Sequence, residues 1–389
     1  MDFFENMKDC LLAVQNPKPD IRRGAEQEIR NLRDTDPRKF MATLTREIAN
    51  EALPTGSRQM ACIIFKNFII NRSKDSKYEN YWINLAKQFK EQIKEAILAT
   101  LASNEVLVRN QVSVVISAIA SIEIPRGEWD ALIPNLCVNA EHTIYNIRLA
   151  SLTTLGYICE EIHPEDINDA LKNSIIVALT NNIATAEEEA SRLATKAMIY
   201  SVPFSSQNFK VQQERDYIMD RLFQACQSQN EEIVENALHC IRELTTQEYE
   251  CMQFYFNRIC EATSVLAKHP SPKVGAQAYE YWTTLVEDET ERVSKGVMCM
   301  GYIRGCYENL LQMILQGICM VSFEEDDEDE DWGHSLSAAC CLQKLSILIG
   351  NDIMDTVVGF AAQYIQSPDW KLRYAACISL GSITEGPEK

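Results

Sequence analysis

Apolar residues recur along this chain at helical spacing, and one short pattern returns nine times. Each copy can be aligned on one position, which we call the anchor, and a small residue usually follows the anchor by three residues. Apolar residues then recur at steps of three and four, a spacing that places them on one face of a helix. The anchor, which is often arginine, falls at positions 22, 58, 109, 148, 192, 234, 275, 335 and 373. Each copy therefore predicts an amphipathic helix.

A second helical stretch separates successive copies, as in "WDALIPNLCVNA" and "RDYIMDRLFQAC". A unit of about 40 residues that contains two antiparallel helices is typical of HEAT repeats. A small residue at the contact lets neighbouring helices approach closely. These small residues are Ala25, Ala61, Ser151, Ala237, Ala278, Ala338 and Ala376. The pattern predicts an all-α HEAT-repeat solenoid, a right-handed superhelix of about nine helix pairs.

The eighth copy follows the seventh by 60 residues, and this long step contains an acidic run. The run is predicted to be a loop inserted between the two helices of the eighth pair, overhanging the concave surface that second helices line. The alternative is a solvated linker, which is the usual role of a block of like charges. The run consists of Glu324, Glu325, Asp326, Asp327, Glu328, Asp329, Glu330 and Asp331, and Trp332 follows it.

Composition narrows the classes of partner and compartment. The formal net charge is −19, and the run supplies eight of these charges, which favours basic partners over nucleic acid or an anionic membrane. The 14 cysteines are scattered without any CxxC pair, as buried thiols in a reducing compartment are. No secretory signal is recognisable, and no run of about 18 uninterrupted apolar residues predicts a membrane span.

No catalytic or cofactor-binding pattern stands out. The five histidines are isolated, and neither a zinc-binding spacing nor a glycine-rich phosphate loop is present. We therefore expect no enzymatic activity, no metal and no cofactor. Trp82, Trp129 and Trp282 are predicted to be core residues. Trp332 and Trp370 each precede a second helix, where either could close the helix entry or face the groove.

The first helices of the fifth and sixth pairs, "KNSIIVALTNNI" and "RDYIMDRLFQAC", are unusually apolar. Either an exposed groove for short aromatic motifs or buried packing between repeats would account for them.

Several stretches carry a resemblance to a known family. They are "IEIPRGEW", "SLTTLGYICEEI", "QERDYIM", "DEDEDWGHSLSAACCL" and "SPDWKLRYAACISLGSITEGPEK". Over its 389 residues the chain resembles the N-terminal part of the importin-β family of nuclear transport receptors. The acidic run that ends in Asp-Trp within the eighth repeat is the most specific match.

The resemblance implies three kinds of partner. Ran in its GTP form would bind second helices of the first repeats, at Lys66, Asn67, Arg109, Asn110 and Gln111, and the acidic run from Glu324 to Asp331. Phenylalanine-glycine (FG) nucleoporins would bind first helices at Ile176, Val177, Thr180, Glu214, Tyr217 and Ile218, where the family often has Phe in place of Tyr217. A basic importin-β-binding segment of importin-α, or basic cargo, would contact Asp331, Trp332 and Trp370.

The same resemblance implies an organisation within one solenoid. Residues 1–161 would hold the Ran-binding repeats, 162–290 the nucleoporin-binding repeats, and 291–389 repeats eight and nine with the acidic loop. Further repeats are expected beyond residue 389, because the last predicted helix is not a polar cap. A monomer in the cytoplasm, the nucleus and the nuclear pore is expected. The alternatives are a HEAT scaffold of a stable complex and a chaperone for basic proteins.

Overall fold

The structure is a computed structural model that describes residues 6–70, 81–321 and 333–387. Helices dominate these residues, and no strand occurs among them. The chain divides into two compact units, Met1–Ser205 and Ser206–Lys389.

The described residues of the first unit, 6–70 and 81–205, form five helix pairs. In chain order they are α1 (Met7–Ala13) with α2 (Pro19–Thr35), α3 (Pro37–Ala49) with α4 (Thr55–Ile69), α5 (Lys87–Ala99) with α6 (Val106–Glu123), α7 (Leu132–Asn139) with α8 (Tyr145–Glu161), and α9 (Asp169–Asn182) with α10 (Glu188–Ser201). Second helices pack on one another in sequence from α4 to α10, and first helices form the other layer.

In the second unit the described residues, 206–321 and 333–387, form four pairs, and a short helix α11 (Ser206–Lys210) precedes them. They are α12 (Gln212–Ala225) with α13 (Glu231–Gln247), α14 (Phe256–Leu266) with α15 (Pro272–Lys295), α16 (Tyr302–Ile318) with α17 (His334–Ile349), and α18 (Met354–Tyr364) with α19 (Trp370–Ser382). Here too α13, α15, α17 and α19 pack in sequence. All nine anchor positions lie in second helices, as predicted.

Close packing within each layer depends on the small residues. The seven that the pattern singled out have 0% exposed surface. At Gly156 in α8, a side-chain carbon would lie 3.1 Å from the Cβ of Ala197 in α10. A larger residue at such contacts would force the helices apart, which makes the repeat pattern a packing requirement.

Local chemistry sets where several helices begin and end. Asn168 caps α9 by accepting a hydrogen bond from the Leu171 amide, and Asn230 caps α13 in the same way. Gly296 ends α15 with a left-handed φ of 63°.

Two apolar helical stretches, Val106–Arg126 and His334–Tyr364, reach the length and hydropathy of a membrane span. The first is 67% buried within the protein. The second is interrupted where α17 ends, because Gly350 has a φ of 69° and a 3₁₀ segment follows it. The first stretch therefore has the packing of a core helix, and the second, which is 39% buried, is two helices of stacked pairs rather than one continuous span.

Candidate partner-binding sites

The acidic run from Glu324 to Asp331, together with Trp332, lies outside the described residues. Its place in the chain agrees with the prediction, because α16 ends at Ile318 and α17 begins at His334. The described flanks are held firmly. The Lys371 ammonium donates to the Val321 carbonyl at 2.9 Å, and His334 Nε2 lies 2.9 Å from the His269 carbonyl oxygen.

The predicted Ran-binding residues of the first unit differ in accessibility. Asn67 on α4 and Asn110 on α6 are exposed, whereas Lys66 and Gln111 are half-buried. Arg109 is 5% exposed. Its Nη1 donates to the backbone carbonyls of the turn that precedes α6, and burial lowers the pKa of the guanidinium. Arg109 thus shapes this surface more than it presents a charge.

A groove crosses α6, α8 and α10 beside Asn110. Its cavity volume is about 160 Å³. Tyr157, Tyr200 and Lys196 line its polar side, and burial raises the pKa of the Tyr200 phenol. The groove combines aromatic rings with several cationic side chains and with the Glu189 carboxylate, so it offers both apolar and polar contacts to a protein partner.

The predicted nucleoporin-binding residues of the first unit lie on α9. Ile176 and Thr180 are each 1% exposed, and Val177 is 45% exposed. The buried Thr180 hydroxyl has no hydrogen-bond partner among the described residues. Only Val177 of these three presents its side chain to solvent, so the two buried residues would support a contact that Val177 makes.

The corresponding residues of the second unit lie on α12. Ile218 is buried, whereas Glu214 and Tyr217 are exposed. Glu214 accepts a hydrogen bond from Asn208 Nδ2 at 2.9 Å, and the Arg221 guanidinium lies 5.7 Å from the Tyr217 ring centroid. The exposed Tyr217 ring is therefore the side chain of this group best placed to meet a partner.

A second groove lies between α12 and α14, within the second unit. Its cavity volume is about 260 Å³, and Phe223, Leu266 and Val265 give it apolar walls. Val265 is 71% exposed at the rim of this groove. The Arg258 guanidinium lies 4.2 Å from the Phe223 ring centroid at one edge. Arg258 is also ion-paired with Asp220, so the edge of the groove carries charges of both signs, and its apolar walls suit an aromatic side chain.

Sequence reasoning missed Val265 and Arg258. The sequence prediction rested on the apolar first helix of the sixth pair, which is α12. It included no residue of the neighbouring helix α14. The only sequence signal was an apolar residue, Val265, near the end of α14 at a position outside the buried face of the helix. Only the packing of α14 against α12 shows that this valine borders a groove.

The tryptophans correct one prediction. Trp82 and Trp282 are buried at 1% and 3% exposure, as expected. Trp129 is only half-buried and has a left-handed φ of 63°, with the Lys94 ammonium 4.9 Å from its ring centroid. It is therefore not a core residue. Trp370 is 45% exposed at the first position of α19.

No group of three His, Cys, Asp or Glu side chains in 6–70, 81–321 or 333–387 could hold a metal ion. The three predicted partner-binding ranges do not coincide with the division at residues 205 and 206. They stay a prediction.

Comparisons with known proteins converge. The family model "Importin-beta N-terminal domain" matches residues 25–103. Importin subunit beta-1 of Schizosaccharomyces pombe is 31% identical over 98% of this chain and 46% of that protein. The chain thus spans about half the length of the curated relatives it matches.

Solved structures agree with this sequence similarity. Yeast importin-beta (Kap95p) matches with a TM-score of 0.89 and 27% identity, over 98% of this chain and 46% of that one. Kap95p in a study of its binding to RanGDP matches with a TM-score of 0.88 and 27% identity. A Kap95:Nup1 complex matches with a TM-score of 0.85 and 28% identity, and both matches cover 98% of this chain and 46% of the other. The predicted HEAT-repeat fold class is confirmed, and the chain belongs to the importin-β family.

Proposed function

We propose that this chain is the part of a nuclear transport receptor that binds Ran-GTP, FG nucleoporins and basic adaptor or cargo segments. It carries proteins through the nuclear pore by binding alone, without catalysis, and it works in both cytoplasm and nucleus. One observation carries the proposal. Over 98% of its length the chain matches 46% of Kap95p, whose solved structures include work on RanGDP and a complex with Nup1.

Ran would bind the second-helix layer of the first unit and the acidic segment. Asn67 and Asn110 are the exposed polar residues among the predicted contacts on helices, and the groove beside Asn110 adds Tyr157 and Tyr200. An exposed ion pair contributes only about 0.2–1 kcal/mol, so the eight carboxylates act collectively. They would speed encounter with a basic partner, and salt would weaken the interaction.

Nucleoporin phenylalanines would bind on the first-helix layer. In the second unit the groove between α12 and α14 has the size and lining for a single aromatic side chain, and Val265 stands exposed at its rim. One ring in one small groove gives a weak contact. Repeated motifs on a nucleoporin would compensate through multivalency, and each individual contact would exchange quickly.

Basic adaptor or cargo segments would meet the acidic segment and Trp370. Ran and cargo would then share one charged element, so binding of one would weaken binding of the other. Such competition provides release of cargo on the side of the pore where Ran-GTP is abundant. It also makes the coupling reciprocal, as thermodynamic linkage requires.

The Ran arm is tested by measuring affinity for Ran loaded with a non-hydrolysable GTP analogue and with GDP. We expect tighter binding of the GTP form. Replacing all eight acidic residues 324–331 by Asn and Gln should weaken it by roughly tenfold or more, which corresponds to about 1.4 kcal/mol. A variant with the same eight residues in a different order is the control and should retain binding. Equal affinity for both nucleotide forms would contradict the proposal.

The nucleoporin arm is tested with a peptide that carries Phe-Gly repeats. Val265→Glu places a carboxylate at the rim of the α12–α14 groove, and we expect roughly a tenfold loss of affinity by fluorescence anisotropy. Val138→Glu is the matched control, because Val138 on α7 is 72% exposed and lies outside the predicted region. Equal losses in the two variants would show that the peptide does not use this groove.

A further inference from the structure

The groove that crosses α6, α8 and α10 differs in charge from the chain as a whole. The chain has 37 Lys and Arg residues against 56 Asp and Glu residues. Among the charged side chains that line the groove, three are cationic and one is acidic: Arg109, Arg192, Lys196 and Glu189. A local excess of positive charge attracts an anionic segment of a partner and disfavours a basic one. The groove and the acidic run therefore favour partners of opposite charge.

Short side chains form the middle of the groove. Ala150, Thr153 and Gly156 of α8 line it together with Ala197 of α10. Gly156 and Ala197 face each other closely, because a Cβ at Gly156 would lie 3.1 Å from the Cβ of Ala197. These short side chains leave the cavity of about 160 Å³ open to a side chain of a partner.

Two aromatic rings border the groove beyond these short side chains. Tyr157 lies about one turn after Thr153 on α8, and it is half-buried. Tyr200 lies about one turn after Lys196 on α10, and it is 36% exposed. Burial raises the pKa of the Tyr200 phenol, and the Glu160 carboxylate and the Tyr157 phenol raise it further, so its hydroxyl keeps a proton to donate at neutral pH. A partner ring beside these tyrosines would make edge or offset contacts with them.

Lys196 is the cation of the groove best placed to pair with a partner. Arg109 donates to the carbonyls of its own turn. Arg192 donates from Nε and Nη2 to the Glu189 carboxylate, each at 2.7 Å. Lys196 is exposed, and no carboxylate within residues 6–70, 81–321 and 333–387 forms an ion pair with it. A carboxylate that binds Lys196 would lie next to a ring that contacts Tyr200, because the two residues share one face of α10.

We propose that this groove binds an anionic motif of a partner protein, by which we mean an aromatic residue flanked by Asp and Glu residues. The aromatic side chain enters the groove beside Tyr157 and Tyr200, and a flanking carboxylate pairs with Lys196. Removal of the ring from water supplies most of the affinity, because an exposed ion pair contributes little. The ion pair supplies selectivity, since the ammonium attracts an acidic motif and repels a basic one.

This partner class goes beyond the proposed function, in which basic segments meet the acidic run. Proteins that carry an anionic motif would be a second class of cargo, bound by the first unit. Asn110, a predicted Ran contact, also lines the groove. Ran-GTP bound there would exclude the motif, so one partner would release both classes of cargo. This release rests on the Ran binding proposed above, whereas binding of the motif does not.

Binding of the motif is tested on the full 389-residue chain by fluorescence anisotropy. The probe is a fluorescein-labelled peptide with one phenylalanine flanked on both sides by Asp and Glu. We expect saturable binding that weakens as salt is added. Replacing the phenylalanine by alanine should weaken binding roughly tenfold. Absence of saturable binding, or equal affinity for a peptide with Asn and Gln in place of the acidic residues, would overturn the proposal.

A charge reversal places the binding in the groove. Lys196→Glu should weaken binding of the anionic peptide roughly tenfold. Lys273→Glu is the matched control, because Lys273 is also an exposed lysine of a second helix, α15, and lies outside the groove. The control should keep its affinity. Equal losses in the two variants would show that net charge controls binding, and would overturn the assignment to this groove.

The aromatic contact is tested by combining a variant of the chain with a variant of the peptide. Tyr200→Ala should weaken binding of the phenylalanine peptide several-fold and leave binding of the alanine peptide nearly unchanged, because effects of groups in contact are not additive. The same fractional loss for both peptides would overturn the placement of the ring beside Tyr200. A general loss of structure would produce that second result.

Competition is tested by adding Ran loaded with a non-hydrolysable GTP analogue to the complex of chain and anionic peptide. We expect Ran to displace the peptide. Binding of Ran without displacement would overturn the release step. If Ran does not bind the chain at all, the proposed Ran-binding function fails, while saturable binding of the peptide and its loss in Lys196→Glu would still establish the anionic site.

Discussion

The third and seventh helix pairs secure the turn between their two helices in different ways. In the third pair, the anchor Arg109 reaches back along its own repeat. Its Nη1 donates to the Ser103 carbonyl at 2.6 Å and to the Asn104 carbonyl at 3.1 Å. The ninth pair repeats this geometry, with Arg373 Nη1 donating to the carbonyls of Ser367 at 2.7 Å and Pro368 at 3.0 Å.

The seventh pair has Gly275 at the anchor position, so no arginine can donate to its turn. A residue of the eighth pair donates this hydrogen bond instead. The imidazole of His334 fills the space beside Gly275, since a Cβ there would lie 2.2 Å from His334 Nε2. His334 Nε2 donates to the His269 carbonyl, which precedes Gly275 by six residues as Ser103 precedes Arg109. A carbonyl only accepts, so the proton of this imidazole is on Nε2.

The difference shows how one structural task can be local in one repeat and shared in another. Arg109 stabilises a turn within its own pair, whereas His334 fastens the seventh pair to the eighth. His334 begins α17 directly after Gly333, close to the acidic segment. The eighth pair, which carries the acidic insertion, is thereby hydrogen-bonded to the seventh pair at the first residue of α17.

Removing the local arginine should have the largest effect. Arg109→Met keeps the stem but leaves two turn carbonyls without their charged donor, and hydrogen bonds to charged groups contribute about 1.5–3 kcal/mol. We expect a stability loss of about 2–3 kcal/mol, measured as faster amide hydrogen exchange at the start of α6 and a lower Tm. Arg30→Met is the control, because Arg30 is largely exposed and its ion pair with Glu26 spans 3.8 Å. If Arg30→Met lost as much stability as Arg109→Met, the hydrogen bonds of Arg109 to the turn carbonyls would not be the cause of the loss.

The glycine of the seventh pair should tolerate no side chain. Gly275→Ala drives a methyl group into the His334 ring, and overpacking of this kind costs about 1–3 kcal/mol. The measurement is thermal unfolding, with amide exchange to localise the change to α15 and α17. Gly305→Ala is the matched control, because its added Cβ meets nothing within 4 Å in α16. That change should stabilise the helix by about 0.5–1 kcal/mol.

A double variant sharpens this prediction. Gly275→Ala combined with His334→Ala removes the ring that the new methyl group would strike. The combined loss should be smaller than the sum of the separate losses, which is the signature of residues in contact. Strict additivity would mean that the ring does not occupy the space beside Gly275.

The repeat architecture was predictable from the sequence because it is encoded locally. Apolar spacing defines each helix, and the recurring small residue three positions after the anchor reports the contact between stacked helices. Ala61 and Ala278, for example, are fully buried as that pattern requires. The place of the acidic run between α16 and α17 followed from repeat length alone.

The remaining features depend on contacts between residues far apart in the sequence. Nothing near Gly275 in the sequence indicates that an imidazole ring 59 positions later takes the place of an arginine. Val265 belongs to a groove only because α14 packs against α12. Trp129 occupies an apolar stretch, yet its left-handed backbone turns it out of the core.

Lowering the pH should destabilise the turn of the seventh pair more than that of the third pair, and this is the smallest of the expected effects. Burial lowers the pKa of His334, so the ring is neutral in the folded protein at neutral pH, whereas the unfolded chain binds its proton near pH 6.5. The unfolded state therefore holds more protons as pH falls through 6.5 towards the folded pKa. Stability from this group is fully present above that window and is lost through it, by about 1.4 kcal/mol per unit of pKa difference.

Arg109 stays charged throughout this window and contributes no such dependence. Amide exchange at the start of α15 and α17, corrected for its intrinsic pH dependence, should speed up between pH 7 and pH 5.5 more than exchange at the start of α6. His334→Gln, which keeps a donor but cannot titrate, should abolish the difference. If the two regions respond alike in the unmodified chain, the imidazole does not replace the arginine as the group that holds the turn.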